Sequence, residues 1–150
     1  MSKRVLVTGG AGFIPSNVIR HLLEATRHEV VSLDALTYAG NLENLADILA
    51  HPRLAFVHGD IRDRELVREL VGGVDVIVNA AAESHVEKSI EDGASEFVRT
   101  NVEGTQILLD AIRETPVERF VLISSSEVYE PISSAAMRPR SSRAGPAPCS

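Results

Sequence analysis

The stretch Thr8-Gly9-Gly10-Ala11-Gly12-Phe13-Ile14-Pro15 decides how this chain is read. Ahead of it lies Arg4–Thr8, rich in branched aliphatic residues, and behind it a helical pattern over Ile14–Thr26. A strand that delivers a glycine-rich turn onto a helix start is an arrangement that binds a pyrophosphate. Gly9 permits the tight turn, and Gly12 lets backbone approach phosphate oxygens with no Cβ in the way. The helix start then offers unpaired N–H groups and the positive end of its dipole. The second strand candidate, Glu29–Leu33, runs into Asp34. Asp34 lies 25 residues after Gly9, near the roughly 20-residue offset of a ribose-binding acid. Its carboxylate can accept both adenosine-ribose hydroxyls and would repel a 2′-phosphate. Ala35 follows with no basic neighbour, so NAD is expected over NADP. The plainer alternatives are a helix cap for Gly12 and a solvated strand-end acid for Asp34.

Pro15 departs from the pattern. A third small residue, normally glycine, is expected there, where helix and strand pack closely. Proline in a first turn loses only an N–H with no intrahelical partner. Its ring needs space, however, and it disfavours helical dihedrals at Ile14. Weakened cofactor binding is therefore expected.

Outward from the loop, β-rich runs alternate with helical patterns. Further strand candidates are Leu54–His58, Val74–Asn79 and Arg119–Ser124. Most are continuous apolar runs, as in parallel strands buried on both faces. Helices are expected near Leu42–Ala50, Asp63–Val71 and Asp92–Glu114. In the last, Phe97, Val102, Leu108, Leu109 and Ile112 form roughly one apolar stripe, and Ser89 with Asp92 has capping-box spacing. The alternation predicts an α/β fold, a doubly wound Rossmann-type parallel sheet with helices on both faces.

The chain has 150 residues and a net charge of −6, the size of one domain. No run of about 18 apolar residues supports a membrane span, and the start shows no signal-peptide pattern. Cys149 is the single cysteine, so neither a disulfide framework nor a cysteine metal site is expected; no metal ligands are assigned, and a cytoplasmic location is the default. The acidic balance argues against nucleic acid as a partner. Residues 131–150 hold four prolines, five serines, four alanines and three arginines with no acid. That stretch carries +3, leaving −9 on residues 1–130. We therefore divide the chain into a folded body, 1–129, and a tail, 130–150, expected to be disordered.

Four segments carry a family resemblance: Val7–Ile14, Asp34-Ala35-Leu36-Thr37-Tyr38-Ala39-Gly40-Asn41-Leu42, Ala81-Ala82-Glu83-Ser84-His85-Val86-Glu87-Lys88-Ser89-Ile90, and Thr100-Asn101-Val102-Glu103-Gly104-Thr105. With them the chain resembles the extended short-chain dehydrogenase/reductase family, and within it the dTDP-glucose 4,6-dehydratases, over residues 3–129. The second and third segments are the specific ones. The resemblance implies a cycle through NAD without net redox change: hydride leaves the sugar C4, water leaves across C5–C6, and hydride returns to C6. It implies that Gly9, Gly12, Phe13 and Ile14 hold the pyrophosphate, and that Asp34, Ala35 and Thr37 lie by the adenosine ribose. Asp60 and Ile61 would flank adenine, while Ala80, Ala82 and Thr100 line the cofactor cleft. Glu83, Ser84 and His85 would face the sugar of a sugar nucleotide, dTDP-glucose or a related one. Asp60 has the alternative of capping the helix near Asp63, and His85 that of a hydrogen-bonded loop histidine. Asn101, mid-helix and a poor helix former, reads as a residue that steadies the site's backbone. Tyr38 and Tyr129 read as packing residues. In the family this resemblance points to, the long helix, here Asp92–Glu114, packs against a partner subunit, so the resemblance implies that a homodimer through it can form.

The segment Ile123-Ser124-Ser125-Ser126-Glu127-Val128-Tyr129 matches the dehydratase active-site strand end. Glu127 would be the base for the C5 proton, given a carboxyl raised toward neutrality. Ser125 would bond the C4 oxygen, and Ser126 replaces the acid that protonates the leaving hydroxyl. GDP-mannose dehydratases and UDP-glucuronate decarboxylases resemble the chain more here, as both carry Ser before Glu. The family's Tyr-x-x-x-Lys pair is not found: the two lysines are Lys3 and Lys88, and no tyrosine follows Tyr129. The expectation is a dehydratase-type cofactor domain that does not turn over by itself, read as a prematurely ended chain. The alternatives are a non-catalytic NAD-binding or dimerisation module, or a fragment of a related NAD-dependent epimerase.

Overall fold

The computed structural model describes residues 1–83 and 95–125. Five strands form one parallel sheet: β1 (Arg4–Thr8), β2 (Glu29–Asp34), β3 (Leu54–His58), β4 (Val76–Asn79) and β5 (Arg119–Leu122). Their order is β3-β2-β1-β4-β5. The chain thus winds outward from β1 in one direction, then crosses back to add β4 and β5 on the other side. That reversal leaves a crevice above the carboxyl ends of β1 and β4, the place where open α/β sheets bind ligands. The register sets the loop ends level, with Thr8 opposite Leu33 and Asn79.

Alternation along the strands divides the core in two. Val5, Val7 and Val30 face helix α1 (Phe13–Ala25), packing with Ile19, Leu23 and Leu45. Leu6, Val31, Leu33 and Ile77 face the other way, onto Val67 and Val71 of α2 (Arg64–Val71) and Ile107, Leu108 and Ala111 of α4 (Thr105–Glu114). Burial on both faces holds for β1 and β2, whereas β3 and β5, the sheet's edges, are more open. The guanidinium of Arg53 closes the end of α1, donating to the carbonyls of Leu23, Thr26 and His28. A cation there satisfies carbonyls that the helix leaves unpaired.

Two expected helices differ. Leu42–Ala50 is a 3₁₀ turn, Leu42–Leu45, followed by further turns. Short polar side chains compete with the backbone there: Asn41 accepts from the Glu43 N–H, Asn44 donates to the Ala11 carbonyl, and Asp47 pairs with Arg20. The long helix is composite. A short α3 (Ser95–Phe97) leads into a π-helical segment, Val98–Gly104, and then α4. The wider turns shift the phase, so the expected single stripe breaks up: Leu108 is buried, while Val102 and Leu109 are 63% and 38% exposed. Tyr38, read as a packing residue, is 44% exposed. Ser89, Asp92, Tyr129 and the tail lie outside the described residues.

Candidate functional site

At the end of β1, Gly9 turns the chain with a φ of 68°, and its N–H donates to the Leu33 carbonyl at 2.8 Å. A Cβ there would stand 2.9 Å from the Ala81 backbone. Conformation and space both require glycine. Gly12 is the N-cap of α1 in extended conformation, as the helix-cap alternative has it. A Cβ on it would meet the Gly9 carbonyl at 3.1 Å and the Pro15 ring at 3.3 Å. The next two residues, Phe13 and Ile14, have exposed side chains and open the helix. Their N–H groups have no intrahelical partner, because the first helical bond is Ser16 N–H to the Gly12 carbonyl at 3.1 Å. Pro15, buried in this first turn, removes no helical bond, and Ile14 is helical despite preceding it. The expected distortion at Ile14 is therefore not found. Gly10, unassigned from sequence, lies against the buried Ser32 side chain with no room for a Cβ.

Asp34 is buried, 6% exposed, which overturns the reading of a solvated strand-end acid. Its Oδ2 accepts from the Ala11 N–H at 2.9 Å and its Oδ1 from the Leu36 N–H at 2.7 Å. Each oxygen keeps lone-pair capacity for a further donor. Leu36 takes a φ of 50°, unusual for a residue with a side chain. Gly40 lies close enough that a Cβ would stand 2.5 Å from Asp34 Oδ1. The Ala11 carbonyl accepts from the Asn41 N–H at 3.2 Å and from Asn44 Nδ2 at 2.8 Å. The 36–44 segment is thereby fastened onto the glycine loop.

Asp60, Ile61 and Arg62 form another wall. The cap of α2 is Asp63, whose side chain accepts from the Glu65 and Leu66 N–H groups. Asp60 is therefore not the cap. Its carboxylate takes the Arg62 N–H at 2.8 Å, Nε at 2.9 Å and Nη2 at 2.7 Å. Partial burial pushes the Asp60 carboxyl up, but the hydrogen bonds and charge of Arg62 outweigh this and hold it below the usual range. Arg62 Nη1 reaches Glu96 at 3.0 Å. Ile61 is buried against Gly104, where no Cβ would fit.

The third wall hangs on buried polar side chains. Thr8 Oγ1 bonds Asn79 Oδ1 at 2.5 Å and accepts from the Ala80 and Ala81 N–H groups at 3.2 Å. Asn101 clamps the chain beyond: its Oδ1 accepts from the Glu83 N–H at 2.8 Å, and its Nδ2 donates to the Glu83 carbonyl at 3.0 Å. The backbone-steadying reading of Asn101 is what the geometry shows. It lies in the π-helical segment, a distortion frequent at functional sites.

These walls enclose one cleft of about 940 Å³, at the upper end of the size range for ligand sites. Gly9, Gly12, Phe13, Ile14, Asp34, Ala35, Thr37, Asp60, Ile61, Ala80, Ala82 and Thr100 all line it, as do Glu83 and Ser125. Ser84, His85, Ser126 and Glu127 lie outside the described residues. The sequence reading missed Gly40, Gly59, Arg62, Glu96 and Phe97, which also line the cleft. Gly40 was legible as part of the 34–42 segment, and Gly59 and Arg62 as the neighbours of Asp60 and Ile61; Glu96 and Phe97 give no local signal, because only the fold brings them here. The described residues fit a dinucleotide: a glycine cradle with no room for side chains, free helix N–H groups, and a fixed carboxylate at the next strand end. No group of metal-ligating side chains occurs among them, and no helix among them is long and apolar enough to cross a membrane.

The geometry defines a dinucleotide-binding α/β protein. The sequence profile of the NAD dependent epimerase/dehydratase family matches residues 5–149, and the chain belongs to that family. The match runs past residue 129, where the quoted motifs stop. The chain is similar to the low-salt glycan biosynthesis protein Agl12 of Haloferax volcanii, 62% identical over 125 residues, covering 83% of this chain and 40% of the relative. Among solved structures it is similar to DesIV, a dTDP-glucose 4,6-dehydratase from Streptomyces venezuelae crystallised with NAD and TYD, at 55% identity and a TM-score of 0.74, covering 78% of this chain and 38% of that one. A UDP-glucose-4-epimerase from Stenotrophomonas maltophila, crystallised with NAD and formylated UDP-arabinopyranose, gives 31% identity and a TM-score of 0.75, covering 84% and 38%. The chain thus spans about two fifths of the length of these relatives.

Proposed function

We propose that this chain binds NAD in the cleft and is the cofactor-binding part of a sugar-nucleotide 4,6-dehydratase acting on dTDP-glucose or a related sugar nucleotide. The observation that carries cofactor binding is the coupling of the Gly9–Gly12 cradle to Asp34 through the Ala11 N–H. Pyrophosphate would take the N–H groups of Phe13 and Ile14, and the ribose would bond Asp34 beside Ala35 and Thr37. Adenine would lie by Asp60 and Ile61, and the nicotinamide end by Ala80, Ala82 and Thr100. NAD held by these residues would supply the hydride acceptor and donor of such a cycle. Glu83, Ser84 and His85 would bind the sugar, and Ser125 would bond its C4 oxygen. Glu127 would take the C5 proton, and Ser126 stands in the sequence where the resemblance expects the acid that protonates the leaving hydroxyl, a proton that serine supplies poorly unaided. The 34–42 segment and the likeness to DesIV support dTDP-glucose as the substrate. The exposed Val98, Val102 and Leu109 support pairing of two copies through the helix ending at Glu114. The 150 residues contain no Tyr-x-x-x-Lys pair, so the proposal is for cofactor binding and not for turnover by these residues alone.

Calorimetric titration of the 150-residue chain tests this. NAD is expected to bind, and NADP at least about tenfold more weakly, which needs ~1.4 kcal/mol of repulsion between Asp34 and the 2′-phosphate. Equal affinity for the two, or no binding of either, would overturn the assignment.

A further inference from the structure

Arg62 has no role in the reading above, yet it holds four bonds at the cleft wall. Three go to Asp60, from the backbone N–H, Nε and Nη2, and the fourth goes from Nη1 to Glu96. Among the described residues, no other carboxylate lining the cleft is gripped by a guanidinium through two nitrogens: Asp34 takes backbone N–H groups. A fork of this kind fixes a carboxylate in position and orientation. The Arg62–Glu96 bond also joins the loop after β3 to the start of α3, across the part of the cleft lined by Ile61, Phe97 and Thr100.

We infer that Arg62 is a positioning residue for base recognition: it holds Asp60 as a fixed acceptor facing the cleft, so that the site selects a purine bearing an exocyclic amino group over one bearing a carbonyl there. This rests on the reading that Asp60 meets the adenine of NAD. An ionised carboxylate accepts hydrogen bonds and donates none. Adenine offers it an amino group, whereas hypoxanthine sets a carbonyl oxygen against it. Without the guanidinium, Asp60 keeps the bond from the backbone N–H of residue 62, but its second oxygen loses the fork that orients it, and partial burial then pushes the carboxyl toward the protonated form. A protonated carboxyl can donate to that carbonyl. Arg62 is the charged group that acts on Asp60; Glu96 of α3 reaches it through Arg62, and Arg99 through Glu96.

The test is calorimetric titration of the full chain with NAD and with nicotinamide hypoxanthine dinucleotide, at pH 7 and pH 5. The unsubstituted chain is expected to prefer NAD by about tenfold, the effect of one hydrogen bond to a charged group, at both pH values. Arg62→Gln should lower that preference at pH 7 and lower it further at pH 5, while Arg62→Lys, which keeps the charge and loses the fork, should fall between. A loss of fold would move both ligands equally; a purely structural role would not make the preference depend on pH. If the unsubstituted chain prefers NAD, Asp60→Asn abolishes the preference and Arg62→Gln keeps it at both pH values, the inference about Arg62 is overturned and the Asp60 reading stands. If the unsubstituted chain shows no preference, the Asp60 reading fails and this inference fails with it.

Discussion

Pro15 shows how a single residue can break a pattern without breaking the structure that the pattern describes. Proline at the third helical position costs no hydrogen bond, because no helix would use that N–H. Ser16 still bonds the Gly12 carbonyl, and Ile14 stays helical. The ring meets Gly12, whose lack of a Cβ leaves room for it. Pro15→Gly should therefore change NAD affinity by less than about threefold, under ~0.7 kcal/mol. It should lower stability by ~0.4–1 kcal/mol, because glycine loosens the unfolded chain. Calorimetry and denaturant unfolding read the two effects separately; a tenfold gain in affinity would show that the ring obstructs the site. Gly9, Gly12 and Asp34, picked out by their local spacing, line one cleft. The sequence could not show that Asp34 is buried and already bonded to Ala11 and Leu36, because those bonds depend on how a loop closes.

At the scale of elements, the helix running to Glu114 is distorted over the segment that carries Asn101. A regular α-helix through 98–104 would keep Asn101 in phase with its neighbours. The π-helical segment instead lets it clamp the Glu83 backbone from both sides. Asn101→Ala would leave that N–H and carbonyl to find water, at a cost of ~1–3 kcal/mol. Asn101→Asp keeps the acceptor but sets a carboxylate oxygen against the Glu83 carbonyl, and should cost at least as much. Urea unfolding of the two variants checks the order, and equal stability in all three chains would contradict the clamp. Five strand positions and two of the helices were legible from branched residues, caps and period. The 3₁₀ turn at Leu42–Leu45 and the π-helical segment were not. Each carries a side chain that bonds distant backbone, Asn44 to Ala11 and Asn101 to Glu83, and periodicity carries no trace of such partners.

Over the whole molecule, a sheet that reverses its winding beside β1 gathers three loops into one cleft: the glycine turn after β1, the 34–44 segment after β2 and the 80–83 segment after β4. Each loop is fastened to a neighbour, by Asp34 to Ala11, by Asn44 to Ala11 and by Thr8 to Ala80 and Ala81. Much of the site is therefore ordered by the fold before any ligand arrives, and a dinucleotide need not supply that ordering free energy. A ligand that binds only the folded state must raise the unfolding midpoint by mass action. The most direct test is thermal unfolding of the 150-residue chain with and without NAD. At about a hundredfold excess over Kd the stabilisation is ~2.7 kcal/mol, a rise of about 5–10 °C for a chain of this size. A cooperative transition that moves up by that amount is the expected result, and a cooperative transition that stays where it was at saturating NAD would contradict the assignment of the cleft.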